Sequence, residues 1–402
     1  MKRVATLAIV AVLAISVVAP AGAVGGASTA TTSDNAQTEA YAGTHVSFET
    51  SGSAVSNYSV DGTQMFASAQ AQSQSEYESS VSGSLTLSAV TNLSGAGLSL
   101  DSSSQTRAQV SSESGATINA HDSQQGILTV ESNGEAQYVE FEMAGSSSAS
   151  AESDSRVAVQ SGDRSGAFIV AGGDGRVTVN DEGDVVADIG SNSTLVFRSY
   201  EGERSEADRQ QEQLIAEGTA TAQVYVEEQD GQRVADAATY GQEIAIETRS
   251  QAEGEVEMTV ERASSEGTVV ITSVSEGAIA TAESADDVEV TIDGEAAAQA
   301  SSYSELRGGI GNEPRYMVRQ TSEASASADV LVAVDHFSSR QVAMSGAGGD
   351  GSGSGDGSSS NDGGSTDGSS SDDGGSGSGM PGFGPIAALI GLLSAAGLRL
   401  RN

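Results

Sequence analysis

From Tyr41 to about residue 340, short runs of alternating apolar and polar residues dominate the chain. "ILTVES" (127–132), "SRVAVQS" (155–161), "GRVTVN" (175–180), "TAQVYVEE" (221–228), "EVEMTVERA" (255–263) and "ADVLVAVD" (328–335) are examples. They are rich in Val, Ile, Thr and aromatic residues and are bounded by Gly, Asp, Asn or Ser. A period of two with these residue types marks half-buried strands. The pattern predicts an all-β body over residues 46–344. Residues 24–45, Ala/Ser/Thr-rich and without a period, read as a disordered N-terminal segment.

One segment breaks the strand pattern. Ser205-Glu206-Ala207-Asp208 resembles a capping box, "EADRQQEQLIA" follows, and Gly218 stands where a C′ glycine belongs. With Leu214 and Ile215 as its large apolar residues, this predicts a short exposed helix in a long connection.

The body also repeats weakly. The segments that start at Glu113, Glu217 and Glu323 resemble one another, as do those that start at Gly62, Gly166 and Gly267. Both sets have a spacing near 100 residues. This predicts three tandem β-rich units, 46–140, 141–243 and 244–340, built as sandwich-like modules or as one elongated sheet.

Charge changes the picture most. Asp and Glu total 56 against 18 Lys and Arg, a net charge of −38. Lys2, Arg3, Arg399 and Arg401 lie in terminal segments without acidic residues, so the rest of the chain carries 18 − 4 − 56 = −42. Such a surface repels itself in dilute buffer. At 1 M salt the Debye length is about 3 Å and the repulsion is screened. The composition therefore points to a halophilic protein and away from nucleic acid as a partner. With no cysteine, disulfides, thiolate metal sites and cysteine nucleophiles are excluded.

The two ends carry addresses. Lys2 and Arg3 precede the apolar run "VATLAIVAVLAISVVA", and Ala21 and Ala23 follow in the A-x-A spacing of a signal-peptidase site. Residues 1–23 thus read as a signal peptide cleaved after Ala23. At the other end, residues 345–379 form a Gly/Ser/Asp-rich linker with six Asp and no cation. As a flexible coil it spans about 30–35 Å. Residues 380–402 follow: Pro381-Gly382-Phe383, an apolar stretch, then Arg399 and Arg401. A helix over Pro385–Leu400 would be about 24 Å long, short of a bilayer core of about 30 Å.

Linker, tripeptide, apolar helix and basic tail, in that order behind a signal peptide, resemble the PGF-CTERM sorting signal of haloarchaeal surface proteins. The resemblance is limited to about the last 60 residues. It implies that a membrane transpeptidase, archaeosortase, recognises Pro381, Gly382 and Phe383 and removes the tail. It also implies that the new C-terminus is joined to a membrane lipid, on the extracellular face of the cell membrane.

The body shows little chemistry. His45, His121 and His336 do not cluster in sequence, and no H-E-x-x-H, G-x-S-x-G or Walker A motif is present. Each histidine is expected to be an exposed or satisfied strand residue. Gly172–Val177 resembles one Ca²⁺-binding nonapeptide but has Val177 where Asp is needed, so a β-turn is expected. The clusters Asp181-Glu182-Gly183-Asp184 and Asp286-Asp287 read as hydrated loops rather than cation sites. Asn57, Asn92 and Asn192 stand in N-x-[S/T] sequons and are candidate N-glycosylation sites. No cofactor, metal or catalytic residue is expected. The sequence points to a surface protein of structural or adhesive type, with S-layer or envelope proteins as partners. The alternative is a surface-tethered binding protein or hydrolase for an extracellular polymer, on the same scaffold.

Overall fold

Strand after strand, the alternation of the sequence is realised as four β-sheets packed face to face. The computed structural model describes residues 38–346, apart from 82–85, 146, 230–231, 242–243, 253–254, 263–266, 275–287, 321–327 and 335–338. The expected signal peptide, the sorting tail and the helix expected over Pro385–Leu400 lie outside the described residues, as does the expected linker except for Ser345 and Gly346, which belong to a strand because they pair with neighbouring strands.

The first fifteen strands build one sandwich. They are β1 (Thr38–Ala42), β2 (Val46–Ser51), β3 (Ala54–Val60), β4 (Thr63–Ser73), β5 (Leu98–Ser103), β6 (Arg107–Ser112), β7 (Ala116–His121), β8 (Ile127–Ser132), β9 (Gln137–Met143), β10 (Ser147–Ser153), β11 (Arg156–Ser161), β12 (Arg164–Ala171), β13 (Gly175–Val179), β14 (Val185–Ile189) and β15 (Thr194–Glu201). Sheet I has the order β1-β2-β3-β4-β9-β14-β13, and sheet II the order β10-β11-β12-β15-β8-β7-β6-β5. Between them lies an aromatic core. Tyr58 and Phe66 stack at 4.7 Å between ring centroids, and Phe168 lies 4.4 Å from Phe141 and 4.8 Å from Phe197. Five of the seven phenylalanines of the chain sit in this one layer, which is how so few aromatic residues can support a core.

The second sandwich is smaller. Its strands are β16 (Ala220–Gln229), β17 (Gln232–Thr239), β18 (Ile244–Ala252), β19 (Glu255–Arg262), β20 (Thr268–Val274), β21 (Val288–Ile292), β22 (Glu295–Ala296), β23 (Ala298–Gln299), β24 (Arg315–Gln320), β25 (Ala328–Val334) and β26 (Arg340–Gly346). Sheet III has the order β17-β16-β20-β25-β24-β23 and sheet IV the order β18-β19-β26-β21-β22. Val224, Val270, Val332, Met258 and Met344 fill the aliphatic core between them.

Sheets II and III also pack on each other. Ile127, Ala167, Ile169 and Val196 of sheet II share a buried layer with Tyr225, Val269, Ile271 and Leu331 of sheet III. The four sheets therefore stack in the order I, II, III, IV. Central strands of the inner sheets are buried on both faces, and their sequences show it: β12 is buried at all eight positions, whereas β2 alternates strictly.

Three expectations change here. Residues 38–42, placed in the disordered segment, form β1, which pairs with β2 and buries Tyr41. A first helix, α1, spans Gln74–Ser80; the expected helix, α2 (Glu206–Ala216), has the capping box at Ser205 and Asp208, and Gly218 has a φ of +67°. It is not exposed, because Leu214 and Ile215 are fully buried in the layer between sheets II and III. The period near 100 residues does not organise the sheets. The expected cut at 140/141 falls inside β9, and the strands group as two sandwiches. Gly166 lies within β12, which has antiparallel neighbours, while Gly267 precedes β20, which runs parallel to β16. Small alternating residues recur because β-strands demand them, and that alone produces matches.

Candidate functional site

The polar side chains of the body gather at the seam between sheets II and III. The tight turn joining β3 to β4 is Asp61-Gly62, both with positive φ (46° and 77°), the Asp-Gly pairing that a two-residue hairpin favours. This turn aims the Asp61 carboxylate at two cations. His45 Nδ1 lies 2.7 Å from Asp61 Oδ1, and Arg164 Nη1 donates to Asp61 Oδ2 at 2.7 Å. The other imidazole nitrogen, Nε2, lies 3.3 Å from Glu227 Oε2 on β16. Arg164, Asp61, His45 and Glu227 thus alternate in charge from the first sandwich into the second. Burial alone would lower the His45 pKa, but Asp61 and Glu227 outweigh it and raise the value to about 10. Burial would raise Asp61, and His45 and Arg164 together hold it below its ordinary value.

His121 makes a second link. Its Nδ1 lies 3.1 Å from both Tyr225 Oη and Asp236 Oδ2, and Tyr225 Oη donates to Asp236 at 2.7 Å. Desolvation opposes the charge on Asp236, and His121 more than compensates, so its pKa is lowered. Both described histidines have charged partners, His45 in the turn before β2 and His121 at the end of β7, and each joins one sandwich to the other. His336 lies outside the described residues.

Deeper in the seam stands Arg198, fully buried on β15. Its Nη2 donates to Gln211 Oε1 of α2 at 3.0 Å, and Gln211 Nε2 donates to Asp329 Oδ2 of β25 at 2.7 Å. Asp329 accepts a further bond from Ser273 Oγ at 2.6 Å. Burial raises the pKa of Asp329 despite these donors. At the rim of α2, Arg204 binds Glu212 at 2.8 Å and also pairs with Glu152. A cation inside the apolar run "TLVFRSY" was the sequence signal for this network. Its partners are far apart in sequence and could not be read from it.

Two further carboxylates hold loops rather than cations. Asp122, fully buried, accepts backbone N–H bonds from Thr44, His45 and Val46 at 2.7, 2.8 and 2.7 Å. Gly43 leaves room for it, since a Cβ there would sit 2.4 Å from the Asp122 carboxylate. Glu140, on the outer face of sheet I, does the same for Asn92 and Leu93.

The acidic turn Asp181–Asp184 is closed by Asn180, whose Oδ1 accepts from the backbone of Glu182 and Asp184. Gly172–Asp174 form the bend that enters β13. Among the described residues no three His, Asp or Glu side chains gather as a metal cluster. Asp286 and Asp287 lie outside them. Asn57, Asn92 and Asn192 are exposed, with φ of 58°, 54° and 64°. Ala21, Ala23, Pro381, Gly382 and Phe383 lie outside the described residues.

Comparison with known proteins locates one feature. Residues 380–402 match the family model described as the PGF-CTERM motif. This motif marks a secreted protein that archaeosortase processes, and that is then lipid-anchored to the membrane at the cell surface. No family model recognises the body. No curated protein matches the chain. Among solved structures, a mutant of the glycoside hydrolase family 81 enzyme from Clostridium thermocellum aligns with 75% of this chain and 34% of its own. The identity is 9% and the TM-score 0.31. This chain spans about a third of that enzyme's length, and a likeness of that size says nothing about activity.

Proposed function

We propose that the body is a structural or adhesive element of a haloarchaeal cell envelope, working by contact rather than by catalysis. What supports this reading is how the body uses its reactive side chains. His121 binds Asp236 across the seam, His45 reaches Glu227, Arg198 reaches Asp329 through Gln211, and Arg164 holds Asp61, the other partner of His45; these are the groups from which a catalytic site would be drawn. They make two sandwiches into one stiff block. A stiff, acidic block on a lipid-anchored tether suits S-layer or other envelope proteins as neighbours in molar salt. The anchor would lie on the extracellular face, with the linker 345–379 lifting the body off the membrane.

The test deletes residues 38–346 while keeping leader and tail. The remnant should still reach the membrane, and the cells should lose envelope integrity under osmotic challenge. An intact envelope, together with turnover of a surface polymer by the purified body that stops on substituting one carboxylate, would overturn the reading.

A further inference from the structure

The seam explains the buried charges of the two sandwiches, but not a strap laid over the outer face of sheet I. Residues 86–96 cross this face with four consecutive backbone N–H groups held by side chains of the sheet. Asn92 and Leu93 donate to the two oxygens of Glu140 at 3.1 and 2.8 Å; Ser94 and Gly95 donate to Gln72 and Gln70, each at 3.2 Å. Asn180 Nδ2 binds the Val90 carbonyl at 3.2 Å. Val90 and Leu93 are buried against Tyr77, Tyr138 and Val186. A loop held this closely presents one conformation. In it Asn92, with a φ of 54°, and Ser94 are exposed on either side of buried Leu93. The Asn92 carboxamide has no hydrogen-bond partner among the described residues.

We propose that Asn92 is the N-glycosylated residue of this surface protein, a step that rests on its export. The donor is an oligosaccharide linked through a phosphate to a lipid carrier. Asn92 Nδ2 gives up one proton and bonds to the anomeric carbon of the sugar. The bond from that carbon to the carrier's phosphate oxygen breaks, and the phosphate leaves with the electron pair. Ser94 supplies the hydroxyl that a sequon requires.

At the other two sequons the asparagine is also exposed, but its own carboxamide is engaged or the hydroxyl residue of the sequon is buried. At Asn57, Nδ2 donates to Glu49 at 3.4 Å and Oδ1 accepts from Gln64 at 3.1 Å. The hydroxyl residue of the Asn192 sequon, Thr194, is 2% exposed within β15. The strap also has a telling place. Sheet I is the layer farthest along the stack from β26 in sheet IV, where the chain leaves towards its lipid anchor. The glycan thus stands on the layer farthest along the stack from the last described strand.

Peptide mass spectrometry of the full chain, purified from the membrane fraction of its own cells, decides the matter. The peptide containing Asn92 should carry one or more hexose-sized mass increments. Ser94→Ala should remove them without changing the melting temperature, and Ser94→Thr should keep them. Asn92 bare in the wild type, added mass persisting in Ser94→Ala, or modification confined to Asn57 or Asn192 would each overturn the assignment. The C-terminal peptide of the same sample keeps the two questions apart. A processed C-terminus with a bare Asn92 removes the glycan and leaves the surface reading; an intact end at Asn402 removes the anchoring.

Discussion

At the scale of single residues, buried charge decides where this body is strong. Asp122 shows the principle in one place: three N–H groups converge on one carboxylate, so the turn between β1 and β2 has a single geometry. His45 shows its pH dependence. Its folded pKa, about 10, lies above the ordinary 6.5. A raised value means that its contribution to stability is fully present below about pH 6.5 and is lost as pH rises through about 10. At roughly 1.4 kcal/mol per unit, the upper bound is on the order of 5 kcal/mol, less in molar salt. His45→Gln should therefore melt well below the wild type at pH 7, and the gap should close above pH 10.5. Parallel melting curves that stay equally far apart from pH 7 to pH 11 would show that the imidazolium does not hold the seam.

At the scale of elements, the informative case is α2. Its ends were legible, since the Ser205–Asp208 box and Gly218 are local chemistry acting within a few residues. Its burial was not. Two large apolar residues in eleven look like a weak face, and only the packing of sheet II against sheet III turns them into the middle of a dry layer. Leu214→Ala should cost about 2–5 kcal/mol, the range for a fully buried leucine that leaves a cavity. Substituting the neighbouring Gln213, which is exposed and bonds Glu217 at 2.7 Å, should cost less than about 0.5 kcal/mol. Chemical denaturation of both variants in the same high-salt buffer reads the difference directly.

At the scale of the whole molecule, two features act together. The layer between sheets II and III and the ionic seam couple the sandwiches, so the described body should unfold in one calorimetric transition. Two separated transitions would show that the sandwiches are energetically independent. The net charge of −38 sets the conditions. Carboxylates on the exposed faces repel over a Debye length of about 10 Å at 0.1 M salt and only about 3 Å at 1 M. Dialysis from molar to tens of millimolar salt should therefore abolish the β-type circular dichroism, and restoring salt should recover it. A spectrum and melting point unchanged in 50 mM salt would count against a halophilic body.

What the chain determined without its tertiary structure is what short-range chemistry controls. Period-two alternation made the strands, Asp-Gly pairs made the tight turns, a capping box started α2, and Pro381-Gly382-Phe383 with its apolar segment made the sorting tail. Each of these acts within a dozen or so residues. The number of sandwiches, the placing of β1 in sheet I, and the use of His45, His121 and Arg198 as links were decided only by the fold. The partners of those side chains lie from 13 to 182 positions away, as Gln211 does from Arg198 and Glu227 from His45. A strand such as β12 shows in its sequence that it is covered on both faces, but which sheet covers it is settled only when the sheets have packed.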